Sequence, residues 1–262
     1  MEPMLLNIHH GFNFRDMGGY PGAGMHTIKK HKLIRSGKLD ELSDRDVHFL
    51  SDYGVRFDVD FRSADEKKAA PDRVPHGASY YSFPVFPTDE TQVSKTREEE
   101  FKQFAADPRG GYKNMLQTYA DMVLQDDAQK AYRQFFDLLL SNPDDGQALL
   151  FHCSAGKDRT GMGAVYLMSA LGVNMATIKQ DYIAANDYIQ EPLRQILSSV
   201  QKQGANANLE QSITDLWTVK EDYLDSALTT IDHNYGSMRN YLHEALNLSD
   251  EQVTDLQRIY LV

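Results

Sequence analysis

The chain has one cysteine, Cys153, in 262 residues. A single cysteine excludes an internal disulfide framework and a cysteine-rich zinc cage. The chain also lacks positive charge in bulk: 27 Lys and Arg stand against 38 Asp and Glu, a net charge of −11. Such a molecule repels polyanions at long range, so no nucleic-acid partner is expected. Any phosphate chemistry must then rest on a small local cluster of positive charge. Long apolar runs are missing too. The longest mostly apolar stretch, Met162 to Val173, contains Ser169 and two glycines. It falls short of the roughly 18 residues that span a bilayer, so no stable membrane insertion is expected. Met1 to His10 has no basic segment followed by an apolar one, the pattern of a secretory leader. A cytoplasmic protein is the default expectation, with secretion by another route left open. Oligomeric state is left open as well.

What is present is an ordinary globular balance, 41% hydrophobic and 25% charged residues, enough for a sizeable core. The organisation expected is one α/β domain over 1–262, with a lid or insert at about 84–112 and a helical part at about 174–262. Ser43-Asp44-Arg45-Asp46 followed by Val47, Phe49 and Leu50, with Gly54 behind them, predicts a capped short helix. Val55 to Arg62 alternates apolar and charged residues with period two, which predicts a strand. Ser79 to Phe83 is a second strand candidate. Ala148 to His152 is a continuous apolar run, as expected of a strand buried on both faces of a parallel sheet. Beyond Asn174 the pattern is helical, ending in a capping box at Ser249-Asp250-Glu251-Gln252. The fold class expected is α/β: a central, mostly parallel sheet flanked by helices, with a helical C-terminal elaboration.

The richest segment is His152-Cys153-Ser154-Ala155-Gly156-Lys157-Asp158-Arg159-Thr160-Gly161. A buried strand ends at His152 and a helix starts near Arg159. Ligands in open α/β sheets bind at the carboxyl ends of strands, and a helix N-terminus there attracts oxyanions. Cys153 and Arg159 lie six positions apart, with Gly156 between them. That spacing lets the loop curl with its N–H groups inward and lets Arg159 grip two phosphate oxygens. Cys153 sits at the bottom of the bowl, where the helix dipole and neighbouring positive charge favour the nucleophilic thiolate. Ser154, Ala155, Gly156, Lys157, Asp158 and Arg159 are the expected phosphate-binding residues.

The ten-residue segment resembles the phosphate-binding signature of the protein tyrosine phosphatase superfamily. More narrowly, it is similar to that of atypical bacterial tyrosine and phosphoinositide phosphatases, which read HCxxGKDRT. Asn13 to Tyr20 resembles their NFRDxGG motif, Arg35 to Leu39 their RSGxL segment, and Asp60-Phe61-Arg62-Ser63 with Glu66 their DLRxxxE segment. The resemblance implies a cysteine-dependent phosphatase working through a phosphocysteine, with no metal and no cofactor. It implies a phosphorylated protein or phosphoinositide as substrate, phosphotyrosine first, with phosphoserine, phosphothreonine and phosphoinositides beside it. It also implies that Lys157 and Asp158 matter to activity.

Supporting roles are expected for His152, Thr160, Arg62, Asn13, Arg15 and Asp16. His152 orients the loop, and Thr160 either bonds the departing sulfur or is simply a hydroxyl at the helix N-terminus. Asn13, Arg15 and Asp16 either brace the site or make the turn into Gly18-Gly19. The general acid has three candidates: Asp158 inside the signature, Asp60 near the end of its strand, and a residue of the 84–111 stretch such as Asp89. For Asp60 the competing reading is a structural ion pair of Asp60 or Asp58 with Arg62 or Arg35. Two other functions compete with catalysis. One is a catalytically weak phospho-ligand binding module of the same fold. The other is a rhodanese-like sulfurtransferase, against which the Gly-Lys-Asp-Arg-Thr-Gly continuation argues.

Overall fold

The computed structural model describes residues 4–88, 102 and 104–262. Its centre is a six-stranded sheet of order β1-β2-β3-β6-β4-β5. The strands are β1 (Met4–Leu5), β2 (Arg15–Asp16), β3 (Leu33–Ser36), β4 (Val55–Asp60), β5 (Ser79–Ser82) and β6 (Ala148–His152). The pairs β3·β6, β6·β4 and β4·β5 are parallel, whereas β1 and β2 attach antiparallel at one edge. The expected α/β class and mostly parallel sheet are thus observed. β6 lies in the middle and is buried along its whole length. Its residues divide by parity: Ala148 and Leu150 join one apolar cluster, Leu149 and Phe151 the other. That division is what a strand with helices over both faces produces.

In chain order the helices are α1 (Asp44–Asp52), α2 (Ala64–Ala69), α3 (Gly110–Leu124), α4 (Asp126–Leu140), α5 (Arg159–Ala170) and α6 (Met175–Tyr188). The C-terminal part adds α7 (Gln190–Lys202), α8 (Ala207–Trp217), α9 (Glu221–Tyr235), α10 (Met238–Glu244) and α11 (Asp250–Tyr260). On one face Val47 and Leu50 of α1 pack with Ile34, Val55 and Leu150. The other face carries the larger cluster, in which Tyr119 of α3, Phe135 of α4 and Met162 of α5 meet Val59, Phe61 and Phe151. Sequence-level caps stand where expected: Ser43 with Asp46, and Ser249 with Gln252, both close capping boxes.

Two expectations need refinement. The strict alternation over 55–62 is broken by a register shift between Val55 and Phe57, so Phe57 is only half-buried while Asp58, Val59 and Asp60 are all buried. The 84–112 stretch is described only in part. Val85 and Phe86 are buried in the core and α3 starts at Gly110. Asp89 lies outside the described residues.

Candidate active site

Cys153 follows β6 directly and is 1% exposed. The loop after it is bent by Gly156, whose φ is +69°. A Cβ there would overlap the Ser36 carbonyl and the Gly37 nitrogen, so only glycine fits. Helix α5 then begins at Arg159, and its first bond runs from Met162 N–H to the Asp158 carbonyl at 2.7 Å. The carboxyl ends of β3, β4 and β6 meet here, at the position sequence reasoning assigned to the site.

The loop's carbonyls are held from outside. Lys38 N–H donates to Ser154 O at 3.2 Å. Asn13 Nδ2 donates to Ala155 O at 3.1 Å and to Gly156 O at 3.0 Å. Arg35 donates to Gly156 O at 3.0 Å. The carbonyls of residues 154–156 are thus all bonded by groups from outside the loop. Asn13 reaches the loop from a left-handed conformation, φ +61°, which asparagine tolerates. Its Oδ1 accepts from Arg15 at 3.0 Å. Arg15 and Arg35 both close on the buried Asp181 of α6. Burial opposes ionisation of Asp181, yet the two guanidinium groups hold its carboxyl below the usual range. Burial lowers Arg15 to about 10, which leaves it charged at neutral pH.

Arg159 is turned by Glu66. Its NH1 and NH2 donate to the two Glu66 oxygens at 2.7 and 2.8 Å, a bidentate pair with both side chains buried. Glu66 is also the N3 residue of the α2 capping box and accepts from Ser63 N–H at 2.9 Å, and the Ser154 hydroxyl donates to it. Burial pushes the Glu66 carboxyl up, but Arg159 and these donors outweigh it and hold it far below the ordinary glutamate value. Lys157 is fully buried, with Nζ 2.6 Å from Asp158 Oδ2. It is therefore not a solvated loop lysine. Asp158 Oδ1 accepts from the Tyr119 hydroxyl at 2.9 Å. Thr160 Oγ1 is buried and makes no hydrogen bond among the described residues.

Behind the loop lies a second charged cluster. His152 Nδ1 is 3.4 Å from Cys153 O, so the ring ties the loop's backbone, and Nε2 lies 3.3 Å from both Asp58 and Asp72. Burial disfavours the imidazolium, but Asp72, Asp60 and Asp58 raise its pKa well above 6.5. At Asp58 burial is the largest cause and raises the carboxyl above its usual range despite His152. Asp58, Asp72 and His152 offer three donor atoms within 4.8 Å of one another, the one grouping with metal-ligand spacing among the described residues. Arg62 already donates to Asp72 Oδ2 at 2.7 Å, and the imidazolium supplies the positive charge an ion would bring.

Two sequence expectations are corrected by this geometry. Both oxygens of Asp60 are engaged by Arg62, at 3.0 and 2.9 Å, and Oδ2 also accepts from Tyr80. Asp60 is thus the ion-pair reading: a charge in the sheet interior is tolerable only when paired. Asp16 does not touch the loop. It accepts from Gly18 N–H, His31 N–H and the Tyr53 hydroxyl, so it shapes the turn while Asn13 and Arg15 brace the site. Sequence reasoning quoted Glu66 without a role, although the Ser63-x-x-Glu66 capping pattern was legible. It missed Asp181, Asp72, Tyr119 and Tyr182, which no local pattern marks.

Beside the loop a cleft of about 790 Å³ opens between the N-terminal segment and α7. Its walls include Phe12, Phe14, Ile196 and Trp217, and its floor reaches Glu66 and Ser154.

Cys153 thus opens a buried strand-to-helix loop whose carbonyls are bonded from outside, and Arg159 at the helix start is paired with Glu66. A sequence profile of the tyrosine phosphatase family matches residues 6–262, and the chain belongs to that family. It is 31% identical over 241 residues to a Cupriavidus necator protein assigned as a tyrosine-protein phosphatase, covering 92% of this chain and 84% of that one. It is 27% identical over 276 positions to the triple specificity protein phosphatase PtpB of Mycobacterium tuberculosis, covering 95% of this chain and 96% of that one.

Proposed function

We propose that the protein hydrolyses phosphomonoesters through a phosphocysteine on Cys153, with phosphotyrosine in proteins as its first substrate. The observation that carries this reading is the loop itself: carbonyls 154–156 tied outward around Cys153, with Arg159 aligned by Glu66. Cys153 Sγ attacks phosphorus, and the P–O bond to the leaving group breaks. Arg159 and the loop N–H groups stabilise the equatorial oxygens as charge builds. A water then hydrolyses the phosphocysteine. Asp158 is the general acid in this scheme, because it lies within the Cys153–Arg159 loop itself, whereas Asp60 ends β4 and is held by Arg62 and Tyr80. The apolar cleft beside Ser154 favours an aryl leaving group. Activity beyond phosphotyrosine, on phosphoserine and phosphothreonine, is supported by likeness to a relative named a triple specificity protein phosphatase, and phosphoinositides are proposed beside them.

The test is hydrolysis of phosphotyrosine peptide, phosphoserine peptide and phosphoinositide by wild type and Cys153→Ser, all in the presence of a chelator. We expect turnover in the wild type, fastest on phosphotyrosine, and loss of more than about 10³-fold in the variant. Equal turnover in both proteins would sink the reading. Tight phosphopeptide binding by the wild type without turnover would favour the binding-module alternative.

A further inference from the structure

The Asp158 carboxyl is held from two sides. Lys157 Nζ stands 2.6 Å from Oδ2, and the Tyr119 hydroxyl donates to Oδ1 at 2.9 Å. The Tyr119 oxygen in turn accepts from the Tyr182 hydroxyl at 2.8 Å. Tyr119 belongs to α3 and Tyr182 to α6, and both are buried. Their rings meet edge to face with centroids 6.0 Å apart. Packing alone does not ask for these hydroxyls, since phenylalanine fills nearly the same volume without a polar group to satisfy. Both hydroxyls point along one chain that ends on a carboxyl oxygen of the phosphate loop.

In that chain Tyr119 donates to Oδ1 and Tyr182 donates to Tyr119, so Oδ1 serves as an acceptor and not as the proton-bearing oxygen. Burial and the Asp158 charge push both phenols well above 10, so they donate hydrogen bonds without giving up protons. With Oδ1 accepting from Tyr119, the proton of the acid form belongs on Oδ2, the oxygen that Lys157 Nζ approaches at 2.6 Å. We propose that Tyr119, backed by Tyr182, is a positioning residue for Asp158. It fixes the carboxyl's rotation and reserves Oδ2 as the oxygen that delivers a proton to the leaving group.

This inference rests on the reading of Asp158 as general acid. In the step it serves, Cys153 Sγ forms a bond to phosphorus. The P–O bond breaks with its electron pair going to the leaving oxygen, and that oxygen takes the proton from Oδ2. Asp158 is left as a carboxylate, which Lys157 Nζ is placed to stabilise. A carboxyl free to rotate about Oδ1 would present Oδ2 in the right direction for only part of the time. The loss should then grow with the leaving group's need for a proton.

The test compares kcat/KM for phenyl phosphate, whose leaving group needs protonation, with that for p-nitrophenyl phosphate, whose leaving group needs it far less. This parameter reports the step in which the P–O bond breaks. Tyr119→Phe is expected to lose about 10-fold or more on phenyl phosphate and less than about threefold on p-nitrophenyl phosphate. Asp158→Asn should show the same discrimination, larger. Tyr182→Phe should show it in smaller degree, and serves as the second variant because it leaves Tyr119 and Asp158 in place. A purely structural role lowers both substrates alike. Equal losses, or none, in both tyrosine variants beside a discriminating Asp158→Asn would overturn the inference alone. Equal losses in Asp158→Asn would overturn the general-acid reading and the inference with it.

Discussion

At Gly156 one hydrogen atom decides whether the loop can form. Its φ of +69° and the approach of the Ser36 carbonyl leave no room for a side chain. Gly156→Ala is expected to cost about 1–3 kcal/mol of stability. It should also lower phosphotyrosine hydrolysis by about 100-fold or more, because relief of the overlap moves the N–H groups that face the anion. Thermal unfolding and peptide turnover measure the two effects. Glu66 is the second such residue. It accepts from Ser63, Ser154 and twice from Arg159, which fills its acceptor capacity. Glu66→Gln removes the charge and turns a donor toward donors. We expect a loss of about 3 kcal/mol in urea unfolding. The rate should fall as well, since Arg159 no longer has a fixed fork.

At the scale of elements, the site is a meeting of ends. β6 delivers Cys153, α5 delivers Arg159 at its first position, and α2 delivers Glu66 from its first turn. The α2 capping box does double duty: the interaction that starts the helix also fixes the carboxylate that aligns Arg159. Ser63→Ala is therefore expected to cost about 1 kcal/mol of stability. It should lower kcat/KM in the same direction as Glu66→Gln but less, because Glu66 keeps its charge and its other partners. An unchanged rate with lowered stability would separate the cap from the clamp. α6 contributes more remotely. Its Asp181 draws Arg15 and Arg35 together, and through Asn13 and Gly156 these hold the loop's outer side.

For the whole molecule, the buried charges set the pH range of stability. His152 is raised well above 6.5, since Asp72, Asp60 and Asp58 outweigh the cost of burial. Its contribution to stability is complete below the unfolded value of about 6.5 and is lost as pH rises through the higher folded value. Glu66 and Asp72 act in the opposite sense. Burial opposes their ionisation, but Arg159 holds Glu66 down, while His152 and Arg62 hold Asp72 down. Their contribution is present above about pH 4 and is lost as pH falls toward the folded values. Stability should therefore decline on both sides of a mildly acidic to neutral range, by up to about 1.4 kcal/mol per pH unit for each proton linked. Carbon-detected NMR of labelled histidine is expected to find the His152 imidazole still charged at pH 8. If His152 titrates near 6.5, the account of the cluster behind the loop is wrong.

The sequence by itself determined what is local. The period-two strand over 55–62, the apolar run Ala148 to His152, the capped helices and the ten-residue signature are all patterns within a few neighbouring residues. The physics behind them, alternation, capping and loop curvature, acts over that range. The class of fold and the place of Cys153 and Arg159 followed from these patterns alone. Only the tertiary structure decided the partnerships. The alternation put Asp58 and Asp60 on one strand face, but nothing along the chain says that Asp60 pairs with Arg62 while Asp58 faces His152. Asp181 lies 146 positions from Arg35, and Tyr119 lies 39 from Asp158. A buried charge must find an opposite charge, and a buried hydroxyl an acceptor, wherever packing brings one close. That choice belongs to the assembled core, which is why the loop from Cys153 to Arg159 could be read from the sequence and the groups that hold it in place could not.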